Sequence, residues 1–434
     1  MIVMKFGGSS VANANEMISV LNVIKNVVDK KVVVLSACKG ITDKLEQIAI
    51  ISADKSKNFN NEKENILNYI KNHHINILNS TLKNYLAVAT NEVQSLLNDL
   101  ENIVQGVSFL KELTSATKDA VLSFGELLST TIFHFICKEQ QLNSVLIDAR
   151  TLIYTNDNYN EAAPNLELCS QNIKKEFSKI NPDLVITQGF IGSYNNGIIR
   201  KTTTLGRGGS DYSAAIIGAI IGAEEIQIWT DVNGILSADP RCCNDCRTIK
   251  QMSFEEIKDL SFWGAKVLHP KTILPAIEKN INIKVLNTFN PTNEGTLIAA
   301  KNEDNLFKVN SVIAKGNCIL NISNKRFLTE FDNENVLYSG YCNRKYITLL
   351  NKNNFEFNEK FPDIENFIDC SVICISGANF SNNSQKLLNF LSSIKCLENV
   401  EVLQIIFEFS FSSVLLVIGS CDVHKIVDEI SKNM

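Results

Sequence analysis

The first 42 residues constrain the fold more than any other part of the chain. IVMKF is an apolar run ending in a glycine pair. ISVLNVIKNVVD then places apolar residues at helical spacing, and KVVVLSA is a second apolar run that breaks at CKGITD. Two buried-type strands separated by one helix argue for a parallel crossover, a βαβ unit with each strand ending in a glycine loop. In parallel sheets ligands gather at the carboxyl ends of the strands, where these loops sit.

The same grammar continues to about residue 290. Residues 43 to 140 are helical in pattern, low in Gly and Pro, with Asn- and Lys-rich solvated faces. SVLIDAR and DLVITQGFIGS return to strand character. TTTLGRGGSDYSAA is a loop feeding the small-apolar helix SAAIIGAIIGA. IQIWTDV is a strand, KVLHPKTILPAIEKN a short element followed by a helix, and INIKVLN a further strand. The expectation is an α/β fold, a three-layer αβα domain around a mainly parallel sheet over residues 1–295. NPTNEGTLIAAKNEDN reads as the exit. Beyond it, CSVICISG, NNSQKLLNFLSSI, VEVLQIIFEFS, SVLLVIGS and CDVHKIVDEISKNM follow a βαββα order. That order predicts a small α+β module of ferredoxin-like type over residues 368–434. A poorer copy over residues 306–352 has strand-like NCILNIS and YITLL, with the helix between them short and interrupted by DNEN.

Composition narrows the partners. The 434 residues are 45% hydrophobic and 21% charged with a net charge of −5, so two or three domains fit and a broad basic footprint for nucleic acid is disfavoured. MIVMKFGGSS lacks the basic start and long apolar region of a signal peptide, and no apolar run is expected to cross a bilayer. A cytoplasmic chain without membrane contact is the expectation. Twelve cysteines are then reduced thiols filling core space. Cys242, Cys243 and Cys246 cluster, but the C-x-x-C pair lacks a second ligand pair, so no metal site is expected.

Four stretches carry chemistry. In KFGGSS, Lys5 ends a strand, Gly7 and Gly8 let backbone approach a ligand, and Ser9 and Ser10 can cap a helix whose free N–H groups suit phosphate. In LGRGGSD, three glycines free the backbone, Arg207 offers a planar fork for a carboxylate or phosphate, and Ser210 and Asp211 begin a helix. The stretch is not a Walker loop, since G-x-x-x-x-G-K-[ST] occurs nowhere. WTDVNGILSADPR ends a strand at Thr230 and Asp231, and FWGAKVLHP supplies Lys266. Together they suggest an anionic ligand on one sheet edge, with Lys5 and Lys266 as separate positive charges. Nothing supplies an activated serine or a general-base histidine. Phosphoryl transfer fits, because it rests on positioning and charge neutralisation.

KFGGSSVA, VVLSACKGITD, LSFGELLS, QGFIGS, TTTLGRGGSDYSAA, IWTDVNGILSADPR and FWGAKVLHP, in this order, resemble the aspartate kinases of the amino-acid kinase family. The resemblance covers about the first 300 residues. It implies a carbamate kinase-like catalytic domain followed by ACT modules, and transfer of the γ-phosphoryl of ATP, with Mg²⁺, to the β-carboxylate of L-aspartate. The product, 4-phospho-L-aspartate, would feed lysine, diaminopimelate, threonine and methionine synthesis. By motif, Lys5, Phe6, Gly7 and Gly8 would meet the transferring phosphoryl, with Asp211 organising Lys5. Ser36, Thr42 and Ser210 would line the aspartate site, Glu126 would pair with its ammonium, and Arg207 would fork onto its α-carboxylate. Thr230, Asp231, Leu236, Arg241, Lys266 and Val267 would hold ATP. A homodimer through the ACT region and a lysine or threonine effector are implied as well.

Three departures from the family pattern stand out. Lys39 occupies a position where many relatives have a small residue. Leu236 replaces a frequent tyrosine near the adenine, giving up a stacking contact of about 1 kcal/mol. The eroded first ACT copy predicts retained catalysis with weakened or lost feedback by lysine.

Overall fold

The computed structural model describes residues 1–55, 60–195, 197, 199–243, 245–264, 268, 270–300, 307–323, 336–342, 345–352, 367–380, 382–410, 412–419 and 423–434. It divides into two compact units, Met1–Gly234 with Lys271–Leu297, and Ile235–Pro270 with Ile298–Met434.

The first unit begins with the expected βαβ. Strand β1 (Ile2–Phe6), helix α1 (Ala14–Lys25) and strand β2 (Lys31–Leu35) give a parallel pair in the register Lys5 to Val34 and Phe6 to Leu35. Helices α2 (Ile41–Ala53), α3 (Asn60–Thr81), α4 (Leu86–Leu110) and α5 (Ser115–Glu139) follow without an intervening strand. Then come β3 (Ser144–Ile147), α6 (Leu166–Ser178), β4 (Leu184–Gln188), β5 (Ile191–Asn195), β6 (Arg200–Thr204), α7 (Gly209–Ile221) and β7 (Glu225–Thr230). After β8 (Gln251–Ser253) and α8 (Phe254–Phe262), which belong to the second unit, α9 (Pro270–Glu278) and β9 (Asn282–Asn287) return to the first, and β10 (Thr296–Ala299) leads out of it.

In the first unit the strands run β3-β4-β2-β1-β7-β9, every neighbouring pair parallel. Strand alternation sorts their side chains onto two faces. Met4, Phe6, Val33, Leu35 and Ile186 enter one continuous core with α1 to α5. Val3 and Lys5 take the opposite face. There a Cβ on Gly218 of α7 would lie 3.6 Å from a Val3 methyl, so helix and strand are in close contact. Asp211 lies seven residues before Gly218, two turns along the same helix face, and therefore reaches Lys5.

Helix α5 is long and apolar enough to cross a membrane, against the expectation that no such run exists, but 94% of that apolar window is buried inside the fold. It is the central helix of the α1–α5 core, and that role accounts for its composition. Two further expectations change. DLVITQGFIGS is not one strand: the chain turns at Phe190, which adopts a left-handed φ of 66°, and β5 leaves to pair antiparallel with β6. Ser9 and Ser10 do not cap α1. Asn13 does so, accepting from the amides of Asn15 and Glu16, while Ser10 turns inward to a 2.7 Å hydrogen bond with Thr288.

The second unit carries a six-stranded antiparallel sheet in the order β12-β13-β11-β14-β16-β15, from strands β11 (Lys308–Ser323), β12 (Val336–Cys342), β13 (Lys345–Asn351), β14 (Phe367–Ala378), β15 (Val402–Ser410) and β16 (Ser413–Gly419). Helix α10 (Ser384–Ser393) follows β14, and α11 (Val423–Asn433) follows β16, which completes the βαββα order. The C-terminal sheet is of ACT type. VLYSGYC, unassigned from sequence, is β12, and the DNEN interruption lies outside the described residues. Helix α8 starts with a capping box between Ser253 and Glu256. Its Asp259 accepts from the hydroxyls of Ser410, Ser412 and Ser413, the last two at 3.0 and 2.6 Å, which fixes the helix against the β15–β16 turn. Cys242, Cys243 and Cys246 are free thiols packed on this unit's apolar core, and no metal-binding group of His, Cys, Asp or Glu exists among the described residues.

Candidate active site

A cavity of about 400 Å³ opens in the first unit where β1, β2 and β4 end. Lys5, Gly8, Ser36, Lys39, Thr42, Glu126, Arg207, Ser210 and Asp211 are among the residues that line it. Backbone hydrogen bonds zip the loops around it together. Ser36 N–H donates to the Phe6 carbonyl at 3.2 Å, Lys39 N–H to Gly8 at 3.1 Å, and Gly189 N–H to Leu35 at 2.8 Å. Gly8 is required for the first two loops to meet, since a Cβ there would stand 2.9 Å from the Ala37 carbonyl oxygen.

Lys5 and Asp211 form an ion pair at 2.6 Å, with both side chains mostly buried. A desolvated pair of this kind holds the ammonium in one place at the strand end. Phe6, next in the strand, points to the other face, where it stacks on Trp229 at 5.7 Å. Only its backbone is left to meet a ligand. Gly7 N–H is bound by the Trp229 carbonyl at 3.1 Å.

Helix α7 enters the cavity through Gly208, whose φ of 74° lets the chain turn sharply before the first helical amides. Arg207 is exposed on that turn, with no ion pair among the described residues. Ser36 donates to Ser210 through the hydroxyls at 2.9 Å. Thr42 stands in the first turn of α2. Glu126 reaches the cavity from α5 and is 3% exposed. Its Oε1 accepts from the Ala37 amide at 3.0 Å, whereas its Oε2 is buried without a hydrogen-bond partner. Burial pushes this carboxyl up to about 8, the Ala37 bond pulling only partly the other way.

The arrangement has one buried carboxyl with an unused oxygen, one guanidinium facing solvent, and a fixed ammonium beside glycine-loop backbone. It can take a molecule bearing an ammonium and a carboxylate, and neutralise further negative charge at the end of β1.

The family model for the amino acid kinase family matches residues 1–287. The chain belongs to the amino acid kinase family. The chain is 36% identical over 304 residues to the lysine-sensitive aspartokinase 3 of Escherichia coli K12, an alignment covering 70% of this chain and 65% of that protein. It is 36% identical over 340 residues to the chloroplastic aspartokinase 3 of Arabidopsis thaliana, covering 76% and 58%. The chain thus spans less than two thirds of the length of either relative. The crystal structure of E. coli aspartokinase III in complex with aspartate and ADP superposes with a TM-score of 0.80 at 27% identity, covering 100% of this chain and 99% of that one.

The nucleotide residues implied by the family motifs are distributed differently. Thr230 ends β7, its hydroxyl donating to exposed Asp231 at 3.2 Å. Leu236 makes a lone β-bridge with Thr248 in the second unit, and Arg241 forks onto Asp239 there, closest at 2.5 Å. Lys266 and Val267 lie outside the described residues.

Sequence reasoning missed three contributors. Phe190 lines the cavity in its left-handed conformation, with its amide bound by the Ser213 hydroxyl at 3.1 Å. Ser129 clamps the Ser36 carbonyl at 2.8 Å from α5. Asp119 holds the approach to the Arg207 turn from the same helix. The motifs QGFIGS and FGELLS contain the first two. An aspartate in a helical run gives no such signal.

Proposed function

We propose that this amino acid kinase is an aspartate kinase, transferring the γ-phosphoryl of ATP to the β-carboxylate of L-aspartate with ADP as the second product. The observation that carries the reading is the unpaired buried oxygen of Glu126, in one cavity with the free Arg207 guanidinium. Glu126 meets the substrate ammonium and Arg207 its α-carboxylate, while Ser36, Thr42 and Ser210 fill the remaining wall. The β-carboxylate is ionised at neutral pH and needs no general base. Its oxygen attacks the γ-phosphorus, the bond to the ADP oxygen breaks, and Lys5, aligned by Asp211, offsets the charge on the phosphoryl oxygens. Gly7 and Gly8 let the loop backbone approach the same group.

Mg²⁺ would arrive with the nucleotide and would supply charge neutralisation there. The resemblance assigns Thr230, Asp231, Leu236, Arg241, Lys266 and Val267 to ATP, residues 1–295 to the catalytic domain, and residues 306–352 and 368–434 to two ACT-like modules. An edge strand, β15, with Ile405 and Phe407 exposed supports a homodimer through the ACT-type sheet. The lysine sensitivity named for the E. coli relative supports lysine as the effector class, in a chain whose first module is eroded.

An acetylated amino acid or a nucleoside monophosphate has no ammonium for Glu126, which favours aspartate over those acceptors. A panel of aspartate, glutamate, N-acetylglutamate and UMP with ATP and Mg²⁺ tests the choice: turnover of aspartate at least about 100-fold above the others is expected, and preference for another acceptor overturns it.

A further inference from the structure

We propose that Asp119 is a positioning residue for the amino-acid substrate, joining the helix that carries Glu126 to the turn that carries Arg207. The inference rests on the aspartate reading of the site. Asp119 lies fully buried on α5, seven residues before Glu126, so the two carboxyl groups share one face of one helix. It does not line the cavity, and it acts through what it holds.

Its two oxygens collect donors from two separate segments. The Thr204 amide reaches Oδ2 and the Thr204 hydroxyl reaches Oδ1, both at 2.8 Å. The Asn160 amide is shared between them at 3.0 and 3.1 Å. Thr204 is the last residue of β6, three before Arg207. The Asn160 segment supports the turn from beneath: a Cβ on Gly206 would come within 3.1 Å of the Asn160 carbonyl and 3.0 Å of Glu161. Ala162 N–H also donates to the Thr204 carbonyl at 2.9 Å. One carboxylate therefore holds both the strand that leads into the Arg207 turn and the backbone on which that turn rests.

Both backbone amides reach Oδ2, so an alanine here would leave two buried N–H groups without their acceptor, whereas an asparagine with its oxygen in that place keeps both and turns only the Thr204 hydroxyl from donor to acceptor. The distance between the Glu126 carboxyl and the Arg207 guanidinium is then set by Asp119, and a substrate with its ammonium and α-carboxylate on one carbon is sensitive to that distance.

The test is steady-state aspartyl hydroxamate formation by the full chain, varying aspartate and ATP separately. Asp119→Ala is expected to raise the KM for aspartate about 10- to 100-fold, with kcat and the KM for ATP within about threefold of wild type, and Asp119→Asn, which keeps an acceptor for both amides, to raise it less. Thr204→Val, which removes one of the bonds, is expected to raise it a few-fold, and Thr204→Ser to restore it. In an Arg207→Ala background, Asp119→Ala should add little further, because the group it positions is gone. Equal rises in both KM values, or an Asp119→Ala penalty that multiplies that of Arg207→Ala, would mean a general structural role and overturn the proposal. Should Asp119→Ala not fold, an unchanged aspartate KM in Thr204→Val overturns it alone. A wild-type chain inactive on aspartate but active on another acid defeats the underlying reading, and the proposal with it.

Discussion

Glu126 meets the cavity with one oxygen bound and the other idle, in surroundings that resist its charge. With its carboxyl raised to about 8, it is mostly protonated at pH 7 before a substrate binds. An incoming ammonium reverses that preference, so aspartate binding should release close to one proton at pH 7 and almost none above about pH 9. Calorimetry in buffers of different ionisation heat measures the release, and Glu126→Gln should abolish it while weakening aspartate. The same carboxyl has a stability signature. Its folded value lies above the unfolded one, so the native state alone keeps the proton between about 4.5 and 8. Stability is lost as pH rises through that window and levels off above it. The melting-point advantage of Glu126→Gln over wild type should therefore grow from pH 5 to pH 8; an advantage that shrinks over this range would mean a carboxyl stabilised by charge. Lys5 has a different task. Lys5→Ala should lower kcat by about 10²- to 10³-fold with little change in the KM for aspartate, since the proposed reaction uses its charge where the phosphoryl group moves. A change confined to KM would assign Lys5 to substrate binding.

At the scale of elements, the site is a set of strand ends held together by backbone contacts. Gly8→Ala places a methyl 2.9 Å from the Ala37 carbonyl, and the clash can be relieved only by separating two loops. A stability loss of about 1–3 kcal/mol is expected in denaturant unfolding, with a larger relative loss of kcat/KM. Unchanged activity would show that the loops need not touch. In the second unit, Asp259→Ala leaves three serine hydroxyls without their common acceptor. It should destabilise that unit by about 2–4 kcal/mol, read as a lower midpoint for C-terminal amide exchange protection. Much of this scale was legible in the sequence. Apolar runs interrupted by glycine gave the parallel strands, and Lys5, Arg207 and Asp211 could be singled out because charged groups beside glycine loops have few structural uses; Glu126, inside a helix, was reached only through the family motif FGE. The turn at Phe190 was not legible, because a phenylalanine in the left-handed region is chosen by its packing against Gly209 and Ser213 and not by local preference. Asp119 was hidden for a related reason. Its partners lie 41 and 85 residues away, and only the folded chain brings them together.

At the scale of the whole molecule, an amino acid kinase segment over residues 1–287 is followed by a six-stranded ACT-type sheet. If residues 306–352 are the eroded first ACT-like module proposed above, millimolar lysine should leave turnover within about twofold, lost binding contacts of even a few kcal/mol being enough to remove an effector at that concentration. Strong lysine inhibition would show the inhibitor site intact. The measurement that bears most directly on the central claim comes before regulation: ATP- and Mg²⁺-dependent hydroxamate formation by the purified chain, with aspartate as the acceptor and Arg207→Ala and Glu126→Gln beside it. The account predicts robust turnover of aspartate by the wild type and a sharply raised aspartate KM in both variants. Absence of aspartate turnover together with phosphorylation of another acceptor would contradict it.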